Sequence, residues 1–144
     1  MVSKTLFSSK SDEWATPNEL YEKLNNEFEF TLDPCSTDEN AKCENHYTAE
    51  DNGLDANWGG QRVFCNPPYS NIASWVEKCY REGCKDNTLV VLLIPSRTDT
   101  RYFHNFIYQR AEIRFVSGRL KFGDSKGCAP FPSMIVIFRG AYTR

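Results

Sequence analysis

Residues 62–71 read RVFCNPPYSN, a short apolar run followed at once by two prolines and a tyrosine. Proline has no N–H to donate to a β-ladder, so a strand over residues 62–65 must end before Pro67. Ser70 or Asn71 can then cap a helix over the residues that follow. The stretch therefore predicts a strand, a stiff extended loop and a helix in direct succession.

Strand and helix patterns alternate along the rest of the chain. Thr16 and Glu19 form a capping box around Pro17, which predicts a helix over residues 17–26. TLVVLLI at 88–94 is apolar on both faces, as is typical of a central strand covered by helices. The other predicted elements are strands at 28–33, 112–116 and 133–138, short extended segments at 46–49 and 119–122, and helices at 72–83 and 99–110.

This alternation predicts one three-layer α/β domain over residues 12–144, preceded by a flexible N-terminus at 1–11. We expect a mainly parallel central sheet with helices on both faces. Three of its strands end in Asp33-Pro34, Asn66-Pro67 and Pro95. Because ligands of such sheets bind beyond the carboxyl ends of the strands, these ends mark the expected site.

Composition narrows the classes of protein that the chain can belong to. At 144 residues, with 40% hydrophobic and 25% charged residues, the chain has the composition of one globular domain. A formal net charge of −2 argues against polyanion binding through net charge, so any contact with nucleic acid must come from a focused basic face. No run reaches the roughly 18 apolar residues of a membrane span, and the N-terminus lacks a secretory signal. We therefore expect a cytosolic protein without membrane contact.

The six cysteines contain no CxxC pair, which is typical of reduced, structural thiols in a cytosolic protein. Cys35, Cys43 and His46 could supply three ligands to a zinc ion. The paired short spacing of structural zinc sites is missing, however, and we predict no metal.

The NPPY sequence suits chemistry on a conjugated amino group. Such a nitrogen is a poor nucleophile because its lone pair is delocalised, and two acceptors aimed at its hydrogens would favour the more tetrahedral form needed in the transition state. Asn66 can supply a side-chain carbonyl and Pro67 a backbone carbonyl, while Pro68 holds the angle. Tyr69 offers a face on which a base can stack. The alternative is a turn capped by Asn66, with Tyr69 only packing.

Five blocks of sequence, in this order, resemble the phage-type DNA N-6-adenine methyltransferase family, and the resemblance covers about residues 12–140. It implies S-adenosylmethionine as methyl donor, DNA as partner and a reduced, Rossmann-like class I methyltransferase fold. NPPY alone is shared with amino methyltransferases that act on RNA or on protein glutamine. The blocks are DEWATP at 12–17, LDPCS at 32–36, CNPPYS at 65–70, LLIPSRTDT at 92–100 and GRLKF at 118–122.

The resemblance also implies roles for individual residues. Asn66, Pro67, Pro68 and Tyr69 form the catalytic loop. The residues predicted to bind the cofactor are Trp14, Thr16, Pro17, Asp33, Pro34 and Cys35.

Two features depart from the pattern of larger methyltransferases. The turn after the first strand, LDPCSTDEN, contains no glycine, although glycine normally permits close approach of the backbone to the cofactor. Only 32 residues separate Asp33 from Asn66, too few for two further strand and helix units. We therefore expect a sheet that is trimmed on this side. Asp51 is the predicted acidic contact to the cofactor, ahead of Glu50, and the alternative is that Asp51 only forms a turn.

Four cations near the predicted strand ends could hold DNA phosphates: Arg97, Arg101, Arg119 and Lys121. The alternative is an ordinary solvated face. Residues 123–133, rich in glycine and proline, are a candidate mobile loop over the base pocket. No insertion is large enough to recognise a base sequence, so specificity must be relaxed or come from loops or a second copy of the chain.

The first hypothesis is an S-adenosylmethionine-dependent DNA adenine N6 methyltransferase of phage or prophage type, acting in the host cytoplasm. The second is an amino methyltransferase acting on RNA or on protein glutamine. The third is a methyltransferase-like domain that binds without turnover.

Overall fold

The elements of the computed structural model follow the predicted alternation. The structure describes residues 15–121 and 129–141, so the predicted site residue Trp14 and most of the predicted mobile loop lie outside it. The helices are α1 (Asn18–Phe28) and α2 (Ile72–Gly83), and the strands are β1 (Arg62–Cys65), β2 (Leu89–Pro95), β3 (Glu112–Phe115) and β4 (Ser133–Arg139). Short turns of 3-10 helix cover Gly53–Asp55 and Tyr69–Asn71, and a π-helical turn covers Phe103–Ile107.

The four strands form one mixed sheet in the order β1-β2-β4-β3. β1 pairs with β2 in parallel, whereas β4 is antiparallel to both of its neighbours. The prediction of a mainly parallel sheet was therefore wrong. β4 enters between β2 and β3 in reverse, and nothing in an apolar run records the direction of a strand.

A short extended segment continues the sheet beyond β1. Leu32 forms a parallel bridge with Val63, and the N–H of Phe64 donates to the Leu32 carbonyl at 3.0 Å. The predicted strand at 28–33 was too long, because α1 continues to Phe28. Glu29, with φ of 53°, then ends the helix in the left-handed conformation.

The helices cover opposite faces of the sheet, as predicted. α1 buries Leu24 and Phe28 against one face, and α2 buries Trp75 and Val76 against the other. Between them every residue of β2 is buried, in agreement with its apolar sequence.

Three further predicted elements differ from the structure. The helix predicted over 99–110 is shortened to a brief helical segment that includes the π-helical turn, and the predicted edge segment is not a strand over its described residues, 119–121. The described end of the predicted mobile loop is part of the core, since Ala129 is 2% exposed and Phe131 8% exposed. No helix among residues 15–121 and 129–141 combines the length and apolarity required to cross a bilayer.

A buried carboxylate fastens the long loop between the first extended segment and β1 to α2. Glu82 is 5% exposed and accepts a hydrogen bond from the backbone N–H of Trp58 at 2.6 Å. The ammonium groups of Lys85 and Lys78 lie 2.8 and 3.4 Å from its two carboxylate oxygens. In the same region Lys78 donates to the carbonyl of Ala56. This loop carries one wall of the cavity described below.

The environment of Glu82 also shifts its titration. Burial alone would raise the pKa of this carboxyl, but the hydrogen bonds from Lys85 and Trp58 outweigh burial, and the charge of Lys78 adds to their effect. The pKa therefore lies below its ordinary value of 4.5. A carboxylate of lowered pKa contributes stability above its unfolded-state pKa and loses it as the pH falls through the folded-state value.

Glu82→Gln is expected to lower the free energy of unfolding at neutral pH by about 1.5–3 kcal/mol, the range for hydrogen bonds to charged groups. The deficit should shrink as the pH falls below 4.5, because wild-type Glu82 then loses its charge too. Urea denaturation over a pH series measures both effects. Glu77→Gln, which removes an exposed partner of Arg81 on the same helix, is the control and should change little. A deficit that does not vary with pH would contradict this account.

Candidate functional site

A cavity of about 280 Å³ lies beside the carboxyl ends of the first extended segment and β1. Its walls come from the turn after Leu32, the loop around residues 48–54, the loop after β1 and the start of α2. Six residues assigned to the site from the sequence line it: Thr16, Asp33, Pro34, Cys35, Asn66 and Pro68. Residues from three separate blocks of sequence therefore meet at one place.

Asp33 organises the turn at one end of the cavity. Its side chain is 4% exposed, and its two carboxylate oxygens accept hydrogen bonds from the backbone N–H groups of Cys35 at 3.4 Å and Lys42 at 2.9 Å. Burial raises the pKa of this carboxyl, and the two N–H groups act in the opposite direction. The effect of burial is the larger, so the pKa lies above its ordinary value, and the two backbone hydrogen bonds fix the carboxyl group at the cavity wall.

The glycine missing from this turn is replaced by one from elsewhere in the chain. Gly53 is buried against Pro34, so closely that a Cβ at this position would lie 2.1 Å from the Pro34 carbonyl oxygen. The Gly53 carbonyl in turn accepts a hydrogen bond from the indole N–H of Trp58 at 3.0 Å. Only glycine can occupy this position without moving the turn. Gly53 and Pro34 both line the cavity.

The side chain of Asn66 reaches back to the segment before α1. Its Nδ2 donates to the hydroxyl of Thr16 at 2.9 Å, and Thr16 is 5% exposed. The predicted capping box is absent, because α1 begins at Asn18 with Pro17 as its N-cap and with no capping bond from a side chain. Thr16 therefore contacts the NPPY loop instead of capping the helix, while Pro17 is not part of the cavity wall.

The remaining residues of the NPPY loop are less exposed than the sequence suggests. Pro67 is buried and Tyr69 is partly buried, and neither is among the residues that line the cavity. The Tyr69 ring packs edge-on against Phe131, with centroids 5.2 Å apart and planes at 73°. Burial raises the pKa of the Tyr69 hydroxyl, and the nearby positive charge of Arg97 acts against this rise. Arg97 is therefore close enough to this loop to act on Tyr69 electrostatically.

Asp51 lies outside the cavity wall and is exposed. Its carboxylate accepts hydrogen bonds from the N–H of Thr48 at 2.9 Å and from the Thr48 hydroxyl at 3.1 Å, and these bonds lower its pKa. The geometry is that of a turn-forming aspartate. Its effect on the cavity is indirect, because the turn it closes brings Thr48 and Asn52 to the wall.

The four predicted DNA-binding cations follow the carboxyl ends of β2 and β3, and all are exposed. β2 and β3 are both antiparallel to β4, so they run in the same direction as β1. The loops that carry these cations therefore begin at the carboxyl ends of the strands, which is also the side of the sheet where the cavity lies. Within the part of the chain that the structure describes, none of the four forms an ion pair, whereas Arg114 and Arg139 are bound by acidic side chains.

The three residues considered as possible zinc ligands contact different partners. Cys35 lies 3.5 Å from Cys65, measured between sulfur atoms, Cys43 contacts the Tyr21 hydroxyl at 3.5 Å, and His46 contacts Asp38 at 2.9 Å. No group of three potential metal ligands occurs among the described residues.

Sequence patterns missed several residues of the cavity wall. Lys42, Thr48 and Asn52 come from a polar loop without regular periodicity, and Trp75 lies in the helix predicted over residues 72–83, where it was assigned no role in the site. The one available signal was Gly53 within DNGLD, since an isolated glycine in a long loop often marks close packing of the backbone.

Comparison with known proteins identifies the family. The family model for DNA N-6-adenine-methyltransferase (Dam) matches residues 3–142. The chain is 30% identical over 146 residues to the DNA N-6-adenine-methyltransferase of Haemophilus phage HP1, an alignment that covers 96% of this chain and 84% of that protein. It is 32% identical over 111 residues to the DNA N-6-adenine-methyltransferase of Escherichia phage T1, with 76% of this chain and 46% of that protein covered. The chain therefore belongs to the DNA N-6-adenine-methyltransferase family.

Proposed function

We propose that the chain transfers the methyl group of S-adenosylmethionine to N6 of adenine in DNA, at the cavity beside Asp33 and Asn66. Family membership supports the reaction and the substrate. The observation that supports the location is that a buried carboxylate and the NPPY asparagine line the same cavity at the ends of neighbouring parallel segments. Ligand sites of α/β sheets have this position.

We further propose that the sheet is a reduced class I methyltransferase fold. The parallel segments, with one reversed strand inserted near the far edge, support this interpretation. Among the described residues, the sheet extends beyond Asp33 only through a single bridge to His46. This agrees with the trimmed edge expected from the short spacing between Asp33 and Asn66.

The lining of the cavity suits a sulfonium nucleoside. Small-molecule pockets have volumes of about 300–1,000 Å³, and this cavity, at about 280 Å³, lies just below that range. Trp75 and Leu54 supply apolar surface, and Asp33 supplies a buried carboxyl group. When bound, S-adenosylmethionine supplies a methyl group activated by positively charged sulfur. Asp33, Pro34 and Cys35 are the residues predicted from the sequence that would hold it.

Asn66 and Pro67 act on the target amino group. The Asn66 side-chain carbonyl and the Pro67 backbone carbonyl accept its two hydrogens, and this favours the tetrahedral nitrogen whose lone pair can attack. Pro67 and Pro68 limit movement of the loop, so that alignment of the reacting atoms carries much of the rate. No strong general base is required, because the extra proton can leave to solvent after transfer. Tyr69, packed on Phe131, offers the base its remaining ring surface.

Arg97, Arg101, Arg119 and Lys121 hold the DNA backbone around the cavity. Their exposure and their lack of acidic partners among the described residues leave their charges available to phosphates. The net charge of −2 makes this local face, and not the whole surface, responsible for DNA attraction.

Incubation of the protein with methyl-labelled S-adenosylmethionine and DNA, RNA or a protein extract tests the proposed function. Label is expected in DNA, as N6-methyladenine after digestion. Label found only in RNA or in protein glutamine would favour the second hypothesis, and donor binding without transfer to any polymer would favour the third.

Asn66→Ala is expected to reduce kcat on DNA by about 100- to 1,000-fold, the effect of removing one preorganised electrostatic contact to a transition state. Donor affinity, measured by calorimetry, should remain within a few fold of wild type. Asn26→Ala is the control, because Asn26 is exposed on α1 and lies away from the cavity wall. Unchanged turnover in Asn66→Ala would overturn the role of this residue.

Arg97→Gln is expected to raise KM for DNA and to reduce the slope of log affinity against log salt by about 1, the effect of one lost phosphate contact. Binding to oligonucleotides of different sequence should weaken uniformly. Arg81→Gln changes net charge equally, but on α2 and beside Glu77, and should leave the slope unaltered. Equal effects of the two changes would argue against a local DNA face.

A further inference from the structure

Thr16 and Asn66 form a contact that neither helix capping nor the strand pairing requires. They lie 50 residues apart in sequence, and the Asn66 Nδ2 donates to the Thr16 hydroxyl at 2.9 Å. The hydroxyl of Thr16 forms no capping bond to α1. Its contact with Asn66 therefore calls for an explanation within the site.

The two ends of an asparagine amide have opposite hydrogen-bonding character. The oxygen can accept from an amino group, whereas the NH₂ end would direct its hydrogens against those of the target. An asparagine that rotates by half a turn is therefore in the wrong orientation for the reaction. The contact with Thr16 engages the NH₂ end and leaves Oδ1 on the opposite side of the amide.

We propose that Thr16 is a positioning residue, which fixes the amide of Asn66 so that its oxygen is presented to the target amino group. This inference rests on the proposed function. Thr16 acts through Asn66 and transfers no proton itself.

The local sequence makes Thr16 a rigid acceptor. Threonine is branched at Cβ and has few χ1 rotamers, and the proline that follows restricts its backbone to extended conformations. Thr16 is also 5% exposed, so water competes little for the bond. The order Thr16-Pro17 just before α1 thus fixes the hydroxyl against the NPPY loop.

A competing role is direct contact with the methyl donor, because Thr16 also lines the cavity. The two roles differ in which quantity a substitution changes. Loss of a donor contact lowers donor affinity, whereas loss of the orientation of Asn66 lowers kcat and leaves donor affinity unchanged.

The experiment compares Thr16→Val, which keeps the shape of the side chain but loses the acceptor, with Thr16→Ser, which keeps the acceptor. We expect kcat on DNA to fall by about 10- to 100-fold in Thr16→Val, as for a small misplacement of a reacting group. Donor affinity, measured with S-adenosylhomocysteine, should be unchanged, and Thr16→Ser should restore most of kcat. Thr31→Val is the control, since its hydroxyl also forms hydrogen bonds but lies away from the cavity wall.

Asn66→Asp provides a second background that separates positioning from structural support. A carboxylate accepts hydrogen bonds at both ends, so it has no wrong orientation. Thr16→Val should therefore cost much less kcat when Asn66 is replaced by aspartate. An equal loss in both backgrounds would indicate a structural role and overturn the proposal. If Asn66→Asp is inactive, the comparison of the valine and serine variants decides.

Three further results would overturn the proposal: wild-type kcat in Thr16→Val, a loss confined to donor affinity, or equal impairment of the serine and valine variants. Melting curves followed by circular dichroism check folding, and Thr16→Ala replaces Thr16→Val if that variant unfolds. A wild-type protein that methylates no DNA would instead refute the proposed function, so the two failures are distinguishable.

Discussion

The parallel pairing of Leu32 with Val63 is the constraint on which the arrangement of the site depends. Because both segments point the same way, the chain leaves the sheet twice at one edge, first at Asp33 and again at Asn66. Backbone hydrogen bonds between the segments set their spacing, and the cavity lies just beyond them. A carboxylate and an amide that are distant in sequence thereby share one site.

The sequence predicted the elements whose boundaries are local. β1 and α2 have the predicted bounds. Pro67 stops the strand through a local property of the backbone. Gly83 is the last residue of the helix, but it does not adopt the left-handed conformation of a terminating glycine, and its lack of a side chain permits close packing against Phe138. The direction of β4 could not be predicted, because an apolar strand reads the same in either direction. The true end of α1 was missed for a related reason: Phe28 suits helix and strand equally, and the left-handed Glu29 has no side-chain signature.

In the candidate site, too, some features could be predicted from the sequence and others depend on tertiary contacts. The strand-end rule predicted that Asp33 and Asn66 would come together, and the structure brings both to the cavity. The bond between Thr16 and Asn66 is tertiary, and the capping pattern around Thr16 suggested a different partner. The carboxylate of Asp51 accepts a hydrogen bond within a local turn, as the alternative to a ligand contact predicted. The family resemblance helped because it grouped distant blocks that periodicity alone leaves unrelated.

The packing of Gly53 against Pro34 has a consequence for the energetics of ligand binding in the cavity. The turn at Pro34 and the loop that carries Gly53 both form walls of the cavity. Little regular structure lies between them, and at their contact there is no room for a side chain on Gly53. A fluctuation that lifts this loop would remove one wall while the sheet stays folded. Any molecule that binds only the closed form must then favour closure, so its measured affinity includes the equilibrium between open and closed loop. Substitutions far from the bound molecule can thus change its occupancy through the loop alone.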